Sequence, residues 1–138
     1  MGKPTDYRLK SVIIHSLTAN KLSTQQSHHR LVDDSKVEFM NITEASFDLK
    51  VTKKIGFEPS GLFEMSIEAV GSFSSKNKLT PDDIKLIEMD AAEPVLQVIS
   101  LVVAFLSEKF INGPALILPP ILGLNQDDQE DELDDCRQ

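Results

Sequence analysis

The sequence predicts an α+β fold: a four-stranded antiparallel sheet followed by one long helix. Two observations carry this. Between residues 47 and 73, apolar and polar side chains alternate in two stretches, the period of half-buried strands. Then Thr80-Pro81-Asp82-Asp83 opens a continuous apolar segment with the residues that favour a helix start: a hydroxyl N-cap, a first-position proline and first-turn acids. A third feature sits outside both classes. Residues 112–124, NGPALILPPILGL, thread three prolines through leucines and isoleucines. Proline has no backbone donor and fixes φ, so this ribbon is neither helix interior nor central strand.

The first strand is expected within 8–19, RLKSVIIHSLTA, with Val12 and Ile14 on one face and Ile13 and Leu17 on the other. A strand apolar on both faces suits a central position or burial against a second subunit. Residues 20–35 are polar and read as a loop. A second strand signal starts at Lys36, KVEFMNI, and a third is FDLKVTKKI. The intervening TEAS, residues 43–46, fits either a turn or a continuous strand. GFEPSG, residues 56–61, is a turn by composition. In 62–74, Phe63, Met65, Ile67, Ala69 and Phe73 share one face, while Glu64, Ser66 and Glu68 take the other, giving a sheet with one wet side.

The helix reads through 82–110, and Pro94 is expected to kink or split it near Ala92–Glu93. Its second half, VLQVISLVVAFLSEKF, is apolar nearly all round. A second covering layer is therefore expected, and Leu101, Val102 and Phe105 are assigned with Val12 and Ile14 to an oligomer interface. The uncharged run 94–107 is shorter than the roughly 20 residues needed to span a bilayer, so no stable membrane insertion is expected. Asn112-Gly113-Pro114 ends the helix.

The 138 residues suit a single domain, assigned to 1–124, with 125–138 an acidic tail expected to be disordered. The net charge is −8, yet 127–135, DDQEDELDD, holds seven acids and the remainder is nearly balanced. Together with the absence of tryptophan and a single tyrosine, this argues against a nucleic-acid partner. The N-terminal MGKPTDYRLK has no apolar stretch, so no secretory signal is expected. The single cysteine, Cys136, forms no internal disulfide, which fits a reducing compartment.

Catalytic chemistry has no visible apparatus. His28-His29 lies in a polar segment without the spacing of metal ligands, and His15 reads as an ordinary strand side chain. Cys136 is flanked by Asp134 and Asp135, which disfavour its thiolate. No phosphate-binding glycine loop and no carboxylate pair in an apolar setting is present. No enzyme activity, metal or cofactor is expected. What remains is surface: the ribbon, the Phe63–Met65 stripe, and the Glu64 and Glu68 face. The apolar residues of the ribbon and stripe are core by default, and the glutamates a solvated face.

The order of parts resembles the SecB-type export chaperones. The resemblance spans about residues 7–124 and rests on GLFEMSIEAVGSF (61–73), AAEPVLQVISLVVAFLSEKF (91–110) and GPALILPPI (113–121). It implies a cytoplasmic, ATP-independent holdase that binds unfolded polypeptides in apolar grooves. It implies dimers formed by first-strand pairing, stacked through the long helices into tetramers. Client contacts would map to Leu116, Ile117, Leu118, Ile121 and Leu122, with Phe63 and Met65. Docking of an export motor would map to Glu64 and Glu68. The sequence departs from the family after the ribbon, where ILGLNQDDQEDELDD leaves room for little more than a turn or two of a second helix. A relative with one dedicated partner, such as a toxin–antitoxin-associated chaperone, is the alternative implication.

Overall fold

The computed structural model describes residues 6–23, 28–111 and 115–119. Four strands, β1 (Tyr7–Lys21), β2 (Arg30–Met40), β3 (Ser46–Glu58) and β4 (Phe63–Ser75), precede a single helix, α1 (Pro81–Ile111). The sheet is antiparallel throughout with order β1-β4-β3-β2, so β1 and β2 are its edges. The α+β architecture is the one expected.

Directly opposed residues share a sheet face, so register assigns every side chain. Phe47, Leu49, Val51 and Ile55 of β3 and Phe63, Met65, Ile67, Ala69 and Phe73 of β4 form the inner face, all buried under α1. Phe47 and Phe73 stack at 4.9 Å, and Tyr7 sets its ring edge against both. At the opposite end Phe63 meets Phe57 at 5.1 Å and Phe110 of α1 at 5.7 Å.

The helix packs tightly on the sheet at Gly71, where an added Cβ would stand 2.6 Å from a Val95 methyl. Ala91 and Ala92 in the neighbouring turn are both buried. The start of α1 is a reciprocal cap: the Asp83 backbone N–H donates to Thr80 Oγ1 at 3.2 Å, and the Thr80 N–H donates to Asp83 Oδ2 at 3.0 Å. Pro94 does not split the helix, which runs unbroken from Pro81 to Ile111. The buried stripe continues on both sides of the proline, through Ala91, Val95, Ile99 and Val103, and this packing outweighs one lost hydrogen bond. By length and composition α1 as a whole could cross a membrane, unlike the uncharged run within it. Here its inner stripe is spent on the sheet.

Several local readings need correction. Residues 30–35 are strand, not loop: Leu31, Asp33 and Ser35 face inward and pair with Phe57, Ile55 and Lys53. The inward polar pair hid the alternation. β3 likewise runs on through Gly56 to Glu58, leaving 59–62 as the turn. The stretch at 43–46 is a turn, with the Thr43 N–H donating to the Ser46 carbonyl at 2.8 Å. In β1 a bulge lies between Ile14 and Ser16, which moves Leu17 onto the inner face with Val12 and Ile14 and leaves Ile13 outside.

The inner face also buries a charge pair. Lys53 Nζ lies 3.2 Å from Asp33 Oδ2, with side chains only 1% and 12% exposed, and Asp33 Oδ1 is buried without a hydrogen-bond partner. Burial raises the Asp33 carboxyl above its ordinary range, outweighing the attraction of Lys53. A carboxyl whose pKa rises on folding favours the fold most when protonated. Its contribution is therefore lost as pH rises from the ordinary carboxylate range through the raised value. Replacing both members of the pair with apolar side chains of similar size, Asp33→Leu together with Lys53→Met, leaves stability unchanged or raises it by about 1–4 kcal/mol in urea denaturation. Lys53→Met alone lowers it by about 3–5 kcal/mol, because Asp33 is left buried and unpaired.

A candidate apolar docking surface

The ribbon becomes a strap. After α1 ends at Ile111, residues 115–119 form neither helix nor strand and lie outside the sheet. The Leu116 N–H donates to Ser107 Oγ at 2.7 Å, which ties the strap back along the helix. Side chains then alternate: Leu118 is 5% exposed and joins the core cluster, Leu116 is half-buried, and Ile117 is 73% exposed. The segment is therefore part core and part surface. Ile121 and Leu122, the acidic tail and any second helix lie outside the described residues. Phe63 and Met65, expected to face a client, are interior and support the surface from beneath.

Two further apolar surfaces are uncovered. On the inner face of β1, at the sheet edge, Leu9, Ile14 and Leu17 are exposed and Val12 is half-buried. On the outer face of α1, Leu101 is 72% and Phe105 62% exposed, with Val102 half-buried beside them and Leu86 and Met89 exposed one end along. Within the single chain the exposed outer-face residues are covered by none of the described residues.

The outer sheet face is not an acidic platform. Glu68 lies 4.0 Å from Lys50, and Glu64 is exposed beside an open depression of about 480 Å³ whose lining includes Asn20, Asp34, Lys54 and Ser66. Cross-strand neighbours place Lys54 opposite Asp34 and Lys50 opposite Glu38. The two glutamates thus sit in a checkerboard of both signs.

The histidines assemble no site. His15 falls in the β1 bulge and is exposed, while His29 places a ring nitrogen 2.7 Å from the Pro59 carbonyl and sets its ring edge against Phe57. Among the described residues no group of three His, Cys, Asp or Glu could hold a metal. Besides Lys53, one buried polar residue is not foreseen in the sequence: Ser107, fully buried on the stripe of α1 where an apolar residue is the rule. Its break in the i, i+4 pattern after Ile99 and Val103 was the available signal.

No protein-family model and no curated protein matches the sequence. Solved structures do match the fold. One is the Mycobacterium tuberculosis Rv1957 SecB-like chaperone, in complex with a ChAD peptide from the Rv1956 HigA1 antitoxin. It has a TM-score of 0.67 and 10% identity, over 87% of this chain and 93% of that one. Another is a Streptococcus agalactiae protein of unknown function, with a TM-score of 0.53 and 9% identity, over 83% of this chain and 97% of that one. The chain has the fold of a SecB-like chaperone.

Proposed function

We propose that this chain is a cytoplasmic, ATP-independent chaperone, not an enzyme, that holds non-native polypeptides against apolar surface. The observation that carries this reading is the strap, an apolar segment without regular structure, anchored through Leu118 and Ser107 with Ile117 left outward. Burying each fully exposed aliphatic side chain of a client contributes on the order of 1.5–3 kcal/mol, so a few such contacts hold a chain without sequence specificity. Ile117→Asp, at an exposed position that leaves the core intact, weakens binding of a fluorescently labelled unfolded polypeptide by about tenfold, measured by anisotropy. An unchanged affinity would remove the strap from the binding surface.

The assembly is a homo-oligomer in this reading. The free edge of β1, with Leu9, Ile14 and Leu17 beside it, pairs with a second copy. The α1 outer face is self-complementary: antiparallel pairing centred at the level of Val95 sets Met89 against Leu101 and brings Leu86 beside Phe105, one residue out of step. It also sets Glu93 against Gln97 instead of another acid. One surface meeting itself about a twofold axis gives a closed assembly.

A dedicated protein partner is the second reading, and one specific observation favours it over service to an export motor. The charge-balanced outer face around Glu64 and Glu68 offers a basic motor surface little attraction. The structural neighbour is in complex with a peptide from an antitoxin, which fits a dedicated protein partner on this fold. Mass spectrometry of co-purifying proteins separates the two readings: many unfolded clients mark a general holdase, and one stoichiometric protein marks a dedicated chaperone.

A further inference from the structure

Resting on that reading, we propose that the strap is a stand-in for a client, and that the seat now filled by Leu118 is a binding site for an apolar side chain of an extended polypeptide. The inner stripe of α1 steps through Ile87, Ala91, Val95, Ile99 and Val103, then places Ser107 where a sixth apolar residue would serve packing best. The hydroxyl is fully buried and fully used. It donates to the Ala104 carbonyl at 3.2 Å and accepts the Leu116 N–H at 2.7 Å.

What it holds has the chemistry of a bound peptide. Residues 115–119 form neither helix nor strand, and from Leu116 to Pro119 their side chains alternate between inward and outward. Leu116 gives its amide to the helix, and two residues on Leu118 inserts among the buried core side chains. Pro119 has no N–H to add. Among the described residues the strap's grip on the body is therefore one hydrogen bond, one fully seated leucine and the half-buried Leu116 side chain packed against the core. A client segment with a leucine-like side chain two positions after a free amide reproduces the hydrogen bond and the seated leucine. The strap leaves, the client takes the seat, and Ser107 is the latch that sets how readily the exchange occurs. The ligand class is an extended peptide with alternating apolar side chains, and the strap itself is its template.

The test measures affinity of the full chain for a labelled, permanently unfolded carboxymethylated protein, alongside hydrogen exchange. Leu118→Ala empties the seat and Ser107→Ala removes the latch without changing core volume much. Ser107→Ala speeds exchange of the Leu116 amide at least tenfold and leaves the mid-helix amides unchanged, but it leaves probe affinity unaltered, because strap and client use the same hydroxyl in turn. Leu118→Ala, checked for a retained cooperative unfolding transition, weakens the strap alone and tightens probe binding several-fold. A synthetic peptide of residues 115–119 competes with the probe for the Leu118→Ala variant. If the unaltered chain binds the probe and Leu118→Ala binds it no tighter, the strap is simply part of the wall and this proposal is overturned. If neither chain binds the probe at all, the chaperone reading falls with it.

Discussion

Gly71→Ala destabilises the protein by about 1–3 kcal/mol, the range for forcing one extra carbon into a packed core. The new methyl would stand 2.6 Å from Val95 Cγ2 and 3.0 Å from the Phe73 ring, and neither neighbour is free to withdraw. Val95 and Phe73 are both buried, one at the centre of the helix stripe and the other in the aromatic stack. Gly56→Ala is the internal control. The same methyl there meets nothing within 4 Å, so the variant is neutral or more stable by a few tenths to about 1 kcal/mol, since alanine loses less backbone freedom in a strand. Adding Val95→Ala to Gly71→Ala recovers part of the loss, and the non-additivity of the double variant in urea denaturation measures the contact. Two glycines of one sheet thus give opposite outcomes for one reason, the distance to α1.

The second large effect concerns assembly. Leu101→Asp with Phe105→Asp halves the mass measured by light scattering and leaves the circular dichroism of the sheet and helix unchanged. Both side chains point away from the core, so the monomer fold loses little when they change. In a self-paired helix interface each would bury a carboxylate against Met89 or Leu86 of the second copy, costing several kcal/mol per site. A charge on the inner stripe, at Val103 for example, would instead unfold the chain. The contrast between the two faces distinguishes an interface from a core.

Much of this fold was legible in the sequence because its strands β3 and β4 obey simple alternation. Phe47, Leu49 and Val51 or Phe63, Met65 and Ile67 can only be one face of a strand, and the capped start at Thr80 can only be a helix. What escaped were the places where pattern and burial part company. Asp33 and Lys53 face inward as a pair, so the first half of β2, residues 30–35, looked like a loop, since burial of a polar residue depends on a partner distant in sequence. The β1 bulge reverses the face of Leu17, and no side-chain pattern announces an extra residue in an edge strand. Pro94 signals a break by its own chemistry, yet the packing on both sides keeps α1 whole.

The strap divides in the same way. That 115–119 would be neither helix interior nor central strand was plain from the prolines of the ribbon. Which leucine faces inward was not, because such a segment has two faces and only contact with Ser107 and the core chooses between them. That choice sends Leu118 in and Ile117 out, which changes the roles assigned to neighbouring residues of one ribbon.

A folded chain that holds non-native polypeptides on apolar surface without nucleotide shows itself in light scattering when a denatured, aggregation-prone client is diluted into buffer. Stoichiometric amounts of this protein delay aggregation with no ATP present, and Ile117→Asp shortens the delay. Aggregation that proceeds unchanged at several-fold molar excess of the folded protein would contradict a chaperone function.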